Sequence, residues 1–230
     1  MTTTLITGAN KGLGHETARR LIDAGHTVWI GARDQDRGRQ AADALGGRFV
    51  QLDVTSDDSV AAAVKTIEAE GGLDVLINNA GITGPQKPAV ELTADDALTV
   101  YNTNVVSIVR TIGAFTPLLT ASSAPTIINV TSGLGSFALV HDGERIESTV
   151  NAPLYTSSKS AVTMLTVQYA RALPQMRVNA VDPGYTATDL NGHSGPQTVE
   201  EGTDAIVDLA TRGGTGPTGT FVDRHGVVPF

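Results

Sequence analysis

The sequence predicts a single doubly wound α/β domain spanning residues 1–230, with a mostly parallel seven-stranded sheet and helices on both faces. Three observations carry this expectation. Short β-type runs alternate with longer helical stretches along the whole chain, with no linker between them. Most of those runs are continuously apolar, as parallel strands covered on both faces must be. The first run leads straight into a glycine-rich turn and then a helical pattern: Thr7-Gly8-Ala9-Asn10-Lys11-Gly12-Leu13-Gly14.

The elements follow in order. Strands are expected at Thr3–Thr7, Thr27–Ala32, Arg48–Asp53, Val75–Asn78, Thr126–Thr131, Arg177–Asp182 and Thr220–Val222. The helix after the glycine turn reaches about Ala24. Three helices should open on capping boxes, in which a threonine and an acid three residues on satisfy free N–H groups: Thr55/Asp58, Thr93/Asp96 and Thr198/Glu201. A further helix opens near Tyr155 and runs to about Leu173. Trp29, between Val28 and Ile30, reads as packing.

Composition excludes several functions. The chain has no cysteine, which removes disulfides, thiolate zinc sites and iron–sulfur clusters. Its five histidines lack the HExxH spacing, so no metal site is expected. A net charge of −8 gives no support to nucleic-acid or anionic-membrane binding. There is no apolar run of membrane-spanning length and no basic leader, so a cytoplasmic protein is expected.

In doubly wound sheets, ligands bind beyond the carboxyl ends of the strands. The informative residues lie there. Gly8 can make the tight turn after the first strand, Gly12 lets backbone approach a pyrophosphate, and Gly14 allows close helix–strand packing. The fourth strand runs into Asn78-Asn79-Ala80-Gly81. Asn104 sits on a helix after this region. The fifth strand ends at Thr131-Ser132. Tyr155 and Lys159 are four apart, hence on one helix face.

Six features in order, TGxxxGxG at Thr7–Gly14, NNAG at Asn78–Gly81, Asn104, Ser132, YxxxK at Tyr155–Lys159 and the Pro183–Thr188 run, make the chain resemble the short-chain dehydrogenase/reductase family, over essentially its whole length. The closest likeness is to the carbonyl-reductase-like branch. The resemblance implies a Rossmann-type fold and reversible reduction of aldehydes or ketones. Tyr155 is then the acid/base, Lys159 lowers its pKa and grips the nicotinamide ribose, and Ser132 holds the substrate oxygen. Asn104 is implied to bind a water that links Lys159 to solvent.

The implied cofactor contacts are Gly8, Asn10, Lys11, Gly12, Leu13, Gly14, Arg33, Asp53, Val54, Asn79, Ala80, Gly81, Tyr155, Lys159, Pro183, Gly184 and Thr188. Asp53 would take the adenine amino group, with Val54 beside it. Pro183, Gly184 and Thr188 would flank the nicotinamide. The expected cofactor is NADP(H): Ala32 stands where NAD-type members carry an acid, Arg33 offers a fork for a 2′-phosphate, and Lys11 can reach the same phosphate. Asp34 is expected to point away.

Two departures from the family pattern stand out. Ser132 and Tyr155 are 23 apart, about ten more than usual, and the extra residues lie within Leu139–Pro153. A longer insertion there covers an oligomerisation surface in the carbonyl-reductase-like branch, so a homo-oligomer and a monomer both remain open. The lid after Thr188 is short, Asp189–Gln197, which favours a broad range of small carbonyl substrates. His141, His193 and His225 read as solvated, and Tyr185 sits near the expected substrate mouth. The alternative function is a non-catalytic dinucleotide sensor on the same fold; an extended-type epimerase would need a larger C-terminal domain.

Overall fold

The computed structural model describes residues 1–230. The chain forms β1 (Thr3–Thr7), α1 (Gly12–Asp23), β2 (Thr27–Ala32), α2 (Gln35–Leu45), β3 (Arg48–Gln51), α3 (Asp57–Ala69), β4 (Val75–Asn78), α4 (Ala94–Tyr101) and α5 (Ser107–Thr120). Then follow β5 (Thr126–Val130), α6 (Phe137–His141), α7 (Pro153–Ala172), β6 (Arg177–Val181), α8 (Val199–Thr211), β7 (Phe221–Asp223) and β8 (Gly226–Val227). One sheet holds all the strands in the order β3-β2-β1-β4-β5-β6-β7-β8. Every pairing is parallel except β7 with β8. The order reverses between β1 and β4, and the crevice at that switch point is where such folds take a ligand.

The strands are apolar on both sides because both sides are covered. Leu5, Leu76, Ile127 and Val178 point to one layer and pack with Ile67, Ile112, Phe115 and Val162 of α3, α5 and α7. Their neighbours Ile6, Ile77, Ile128 and Val181 point to the other layer, against Ala18 and Leu21 of α1 and Ile206 and Leu209 of α8. This is the two-residue period of a strand read twice, once for each core.

The sheet has eight strands where seven were expected. The extra one, β8, is formed by a hairpin at Asp223, whose Oδ1 accepts from the N–H groups of His225 and Gly226. The third strand stops at Gln51 rather than Asp53, because Asp53 turns back on itself: its Oδ1 accepts from the Thr55 N–H at 2.9 Å and the Thr55 hydroxyl at 2.7 Å. The Thr55/Asp58 box does not form, because α3 starts at Asp57 and Thr55 stands one residue before its N-cap. Ser56 caps α3 instead, accepting from the Ser59 N–H. The boxes at Thr93/Asp96 and Thr198/Glu201 form as expected. The helix carrying Tyr155 begins at Pro153, which opens it with a fixed φ and no N–H to satisfy. Trp29 is buried, with the Arg48 guanidinium 5.5 Å from its ring.

Candidate active site

The glycine turn is locked by the fourth strand. Gly8 and Gly12 have φ of +67° and +56°, in the left-handed region. The Thr7 hydroxyl accepts from the N–H groups of Asn79 and Ala80, and Asn79 Nδ2 donates to the carbonyls of Thr7 and Gly8. A Cβ on Gly14 would lie 2.6 Å from Asn79 Nδ2 and 2.8 Å from the Gly8 carbonyl oxygen. Asn79 is thus bound to the turn itself. A Cβ on Gly8 would lie 3.1 Å from Ala80 Cα, so these two strand ends touch. A Cβ on Gly12 would make only an ordinary contact, with Thr188 at 3.8 Å, so its positive φ rather than crowding is what favours glycine there.

The start of α1 is prepared for an anion. Its N-cap, Lys11, makes no side-chain cap, and no acid stands in the first turn. The free N–H groups and the helix dipole favour a phosphate there. Asn10 is half-buried and Leu13 lines the adjoining cavity. The site's residues therefore fit a dinucleotide at this point. Lys11, expected to reach a 2′-phosphate, pairs here with Asp189 across the crevice at 3.0 Å.

Beyond β2, Ala32 is buried and Arg33 is exposed. Arg33 makes no ion pair, unlike its neighbour Arg37, which faces Asp34 at 3.7 Å. Asp34 does point away: its side chain caps α2 by accepting from the Arg37 N–H at 3.0 Å. Asp53 Oδ1 is spent on Thr55, which leaves Oδ2 for the crevice. Burial opposes its ionisation, but Thr55 and Arg33 outweigh that and hold its pKa below the usual carboxylate value. Val54 turns its side chain into the core and gives its carbonyl to Arg110, so only its N–H remains for a ligand.

The reacting groups converge at the ends of β5 and α7. Lys159 is 5% exposed; its Nζ donates to the Val130 carbonyl at 2.9 Å and lies 5.6 Å from the Tyr155 ring centroid. Burial lowers its pKa to about 8, and Asp182 opposes the fall. Burial raises the Tyr155 phenol to about 12, Ser132 pulls it down, and Asp182 adds to the rise. Burial dominates at the phenol, and Lys159 is not among the groups that shift it in this structure. The Ser132 side chain accepts from the Leu134 N–H at 3.2 Å, which fixes it at the start of a short 3-10 turn.

Asn104 lies in a π-helical turn, Asn102–Val106, between α4 and α5. It is buried, and both its amide hydrogens are used, on the Ile82 carbonyl and the Ser158 hydroxyl. Its Oδ1 accepts from the Ile82 N–H at 2.9 Å and keeps one lone pair. The bare Gly81 leaves a gap beside it, since a Cβ there would lie 3.4 Å from Asn104 Oδ1 and 3.6 Å from Lys159 Nζ.

On the far side, the Pro183 carbonyl accepts from Thr186 Oγ1 and Gln197 Nε2, both at 2.8 Å. Gly184 has φ of +72°, and a Cβ there would lie 2.6 Å from Gln197 Oε1. The Thr188 N–H donates to Asn191 Oδ1 at 3.1 Å, which closes the turn Asp189–Asn191. His193 is exposed, as expected, and bonds Asp189 at 2.8 Å, and the Tyr185 hydroxyl bonds Ser194 at 2.7 Å.

A cavity of about 760 Å³ opens from Ser132 and Tyr155 between these loops. The inserted segment supplies one wall, including Ile146, Glu147 and Val150. It folds over this cavity and leaves Met164, on α7, exposed. Residue-type motifs did not reveal the buried chain of amides and hydroxyls behind the site. Thr111 Oγ1 donates to Asn78 Oδ1, Asn78 Nδ2 to Asn129 Oδ1, and Asn129 Nδ2 to Thr166 Oγ1. Asn129 and Thr166 fall inside otherwise ordinary strand and helix patterns, so only Asn78, beside the NNAG glycine, carried a signal.

The profile of the "short chain dehydrogenase" family matches residues 2–198. "Short-chain dehydrogenase anuI" of Penicillium roqueforti is 36% identical, with 91% of this chain and 88% of that protein aligned. "Short-chain dehydrogenase/reductase 1" of Saponaria officinalis is 33% identical over 98% of this chain and 95% of its own length. Among solved structures, an NADPH-bound carbonyl reductase from chicken fatty liver superposes with a TM-score of 0.88 at 26% identity, covering 100% of this chain and 99% of that one. The family binds nicotinamide dinucleotides, and the crevice of this chain offers the uncapped helix start that such a ligand needs. The chain belongs to the short-chain dehydrogenase/reductase family and is an oxidoreductase of the Rossmann-type fold.

Proposed function

We propose that this protein is an NADPH-dependent reductase of aldehydes or ketones, acting reversibly on the corresponding alcohols. The observation that carries the reading is the meeting of Tyr155, Lys159 and Ser132 at one end of the cavity, beside an anion-ready glycine turn. The carbonyl reductase from chicken, with its bound NADPH, supports it by likeness.

A nicotinamide held beside Tyr155 and Lys159 would supply hydride to the carbonyl carbon. Tyr155, kept protonated by burial, donates its proton to the carbonyl oxygen. Ser132 donates a hydrogen bond to the same oxygen as negative charge grows on it. Lys159, charged below about pH 8, binds the ribose hydroxyls and favours the phenolate that follows proton transfer. A water in the gap at Gly81, donating to the spare lone pair of Asn104 Oδ1, reprotonates the site through Lys159. Asn10, Gly12, Leu13 and the N–H of Val54 line the path of the dinucleotide, and Asp53 Oδ2 takes the adenine amino group. Pro183, Gly184 and Thr188 flank the nicotinamide.

The preference for NADPH rests on the exposed Arg33, which makes no direct ion pair, and on the small Ala32 beside it. Arg33→Asp replaces an attraction for the 2′-phosphate with a repulsion. Its KM for NADPH should rise at least tenfold more than its KM for NADH. Initial rates with both cofactors and a panel of carbonyls test this, and a wild-type preference for NADH overturns the assignment. Composition supports a cytoplasmic protein. The uncovered Met164 on α7 supports a homo-oligomer through that helix, which light scattering across a concentration series decides.

A further inference from the structure

The mouth of the cavity has a chemistry apart from that of the reacting groups. Four apolar side chains stand exposed around it: Ile146 and Val150 on the inserted segment, Tyr185 and Leu190 on the lid. Large apolar groups gathered at a concave opening are the mark of a site that an apolar ligand fills. At about 760 Å³ the cavity is of the size that takes drug-sized ligands, so a fused-ring system fits beside a nicotinamide. The lid is short, but the insertion builds the wall that the lid leaves out.

The charges of the cavity are set against anions. Its lining holds three charged side chains, Lys87, Glu147 and Asp182. Lys87 is spent on Asp96, its Nζ lying 2.9 and 3.2 Å from the two carboxylate oxygens. Asp182, 7% exposed, accepts through Oδ1 from the Gly184 N–H at 2.9 Å and makes no direct ion pair. Glu147 Oε1 and Asp182 Oδ2 lie 2.9 and 2.8 Å from the one point that a Cβ on Gly133 would occupy, so the two acids face each other beside Ser132. A ligand carboxylate or phosphate entering here would shed its water, meet two acids and find no free cation on the lining. Arg145 could serve as that cation, but Glu147 holds it: the guanidinium donates to both Glu147 oxygens, at 3.0 and 3.2 Å.

We propose that the substrate is a ring-bearing apolar ketone without an acidic group, and that Glu147 sets this choice by occupying Arg145 and keeping the wall closed to anions. This deepens the reading of the cavity as a carbonyl site and rests on it. Glu147 stands on the wall contributed by the insertion, away from the reacting atoms, so it governs binding rather than the chemical step. Without Glu147, the half-exposed guanidinium fork of Arg145 becomes free to take a carboxylate.

The test uses one acetylnaphthalene frame bearing, on the ring far from the acetyl group, a methyl ester, a carboxylate or a trimethylammonium group. Binding is measured by calorimetry on the full chain, with and without NADP+, which leaves a bound ketone unreduced. The wild type should bind the ester tighter than the acid by about tenfold or more. Glu147→Gln should tighten the acid by about fivefold and leave the ester within about twofold, because Arg145 is released and no apolar contact is lost. Arg145→Gln should act in the opposite sense, loosening the acid and tightening the ammonium ketone, because Glu147 is left uncompensated.

A wild type that binds acid and ester alike overturns the proposal, as does an ester that does not bind. An ester-to-acid ratio unchanged in the folded variants overturns it too. Should Glu147→Gln not fold, Arg145→Gln, at an exposed side chain, decides alone. Initial rates with NADPH separate this selection from the activity. An ester that binds but is never reduced sinks the proposed activity and leaves the selection standing. Acid and ester reduced with equal kcat/KM sink the selection and leave the activity.

Discussion

The cofactor side and the substrate side of the crevice are built differently. On the cofactor side, the turn at Gly8–Gly14 is tied to β4 by hydrogen bonds through Thr7 and Asn79, and side chains on Gly8 or Gly14 would strike backbone. On the substrate side, the inserted segment is short turns with exposed apolar tips; Ile146 is 56% exposed and Gly143 has open space around it. The first region has one conformation because it has no room for another. The second can change residues without disturbing the sheet, which is how one frame serves many substrates.

The largest effect should come from breaking the tight side. Gly14→Ala puts a Cβ 2.6 Å from Asn79 Nδ2 and 2.9 Å from Ala9 Cα, so the turn must move. We expect a loss of about 3 kcal/mol in stability, with cofactor binding lost alongside. Gly143→Ala, in the inserted segment, meets nothing within 4 Å and should change stability by less than about 0.5 kcal/mol. Thermal melts of the two variants check the contrast, and equal effects would abolish it.

The next effect is chemical rather than structural. Tyr155→Phe removes one hydroxyl and should leave both regions standing. Turnover should fall on the order of 100-fold or more, with cofactor affinity and melting temperature close to wild type. Near-normal turnover on a well-reduced carbonyl would remove Tyr155 from the mechanism.

The same contrast decided what could be read in advance. The tight side was legible because its constraints are local. Gly8, Gly12 and Gly14 announce a turn, Asn79 and Ala80 follow a strand directly, and Tyr155 and Lys159 share a face by spacing alone. The boxes at Thr93 and Thr198 were equally local, whereas the one at Thr55 failed because α3 starts one residue later, with Ser56 as its cap. What escaped depends on polar side chains meeting through space. Lys11 finds Asp189, Glu147 approaches Asp182, and Asn129 reaches Thr166, and no pattern in either partner announces the other. β8 escaped because a two-residue strand carries no period to detect.

The smallest effect belongs to the loose side and tests whether it is a specificity surface. Ile146 stands on the cavity wall, contributed by the inserted segment, with more than half of its surface in solvent. Truncation to alanine removes little buried area, so stability should change by less than about 0.5 kcal/mol. A bound apolar carbonyl would cover that side chain, in the ground state and the transition state alike. The lost contact should therefore raise KM by about fivefold and leave kcat unchanged. A small, polar carbonyl that does not reach Ile146 should show no change. Steady-state kinetics with the two substrates separates these outcomes. If kcat falls and KM holds, Ile146 supports the reacting groups instead, and the inserted segment belongs with the rigid frame.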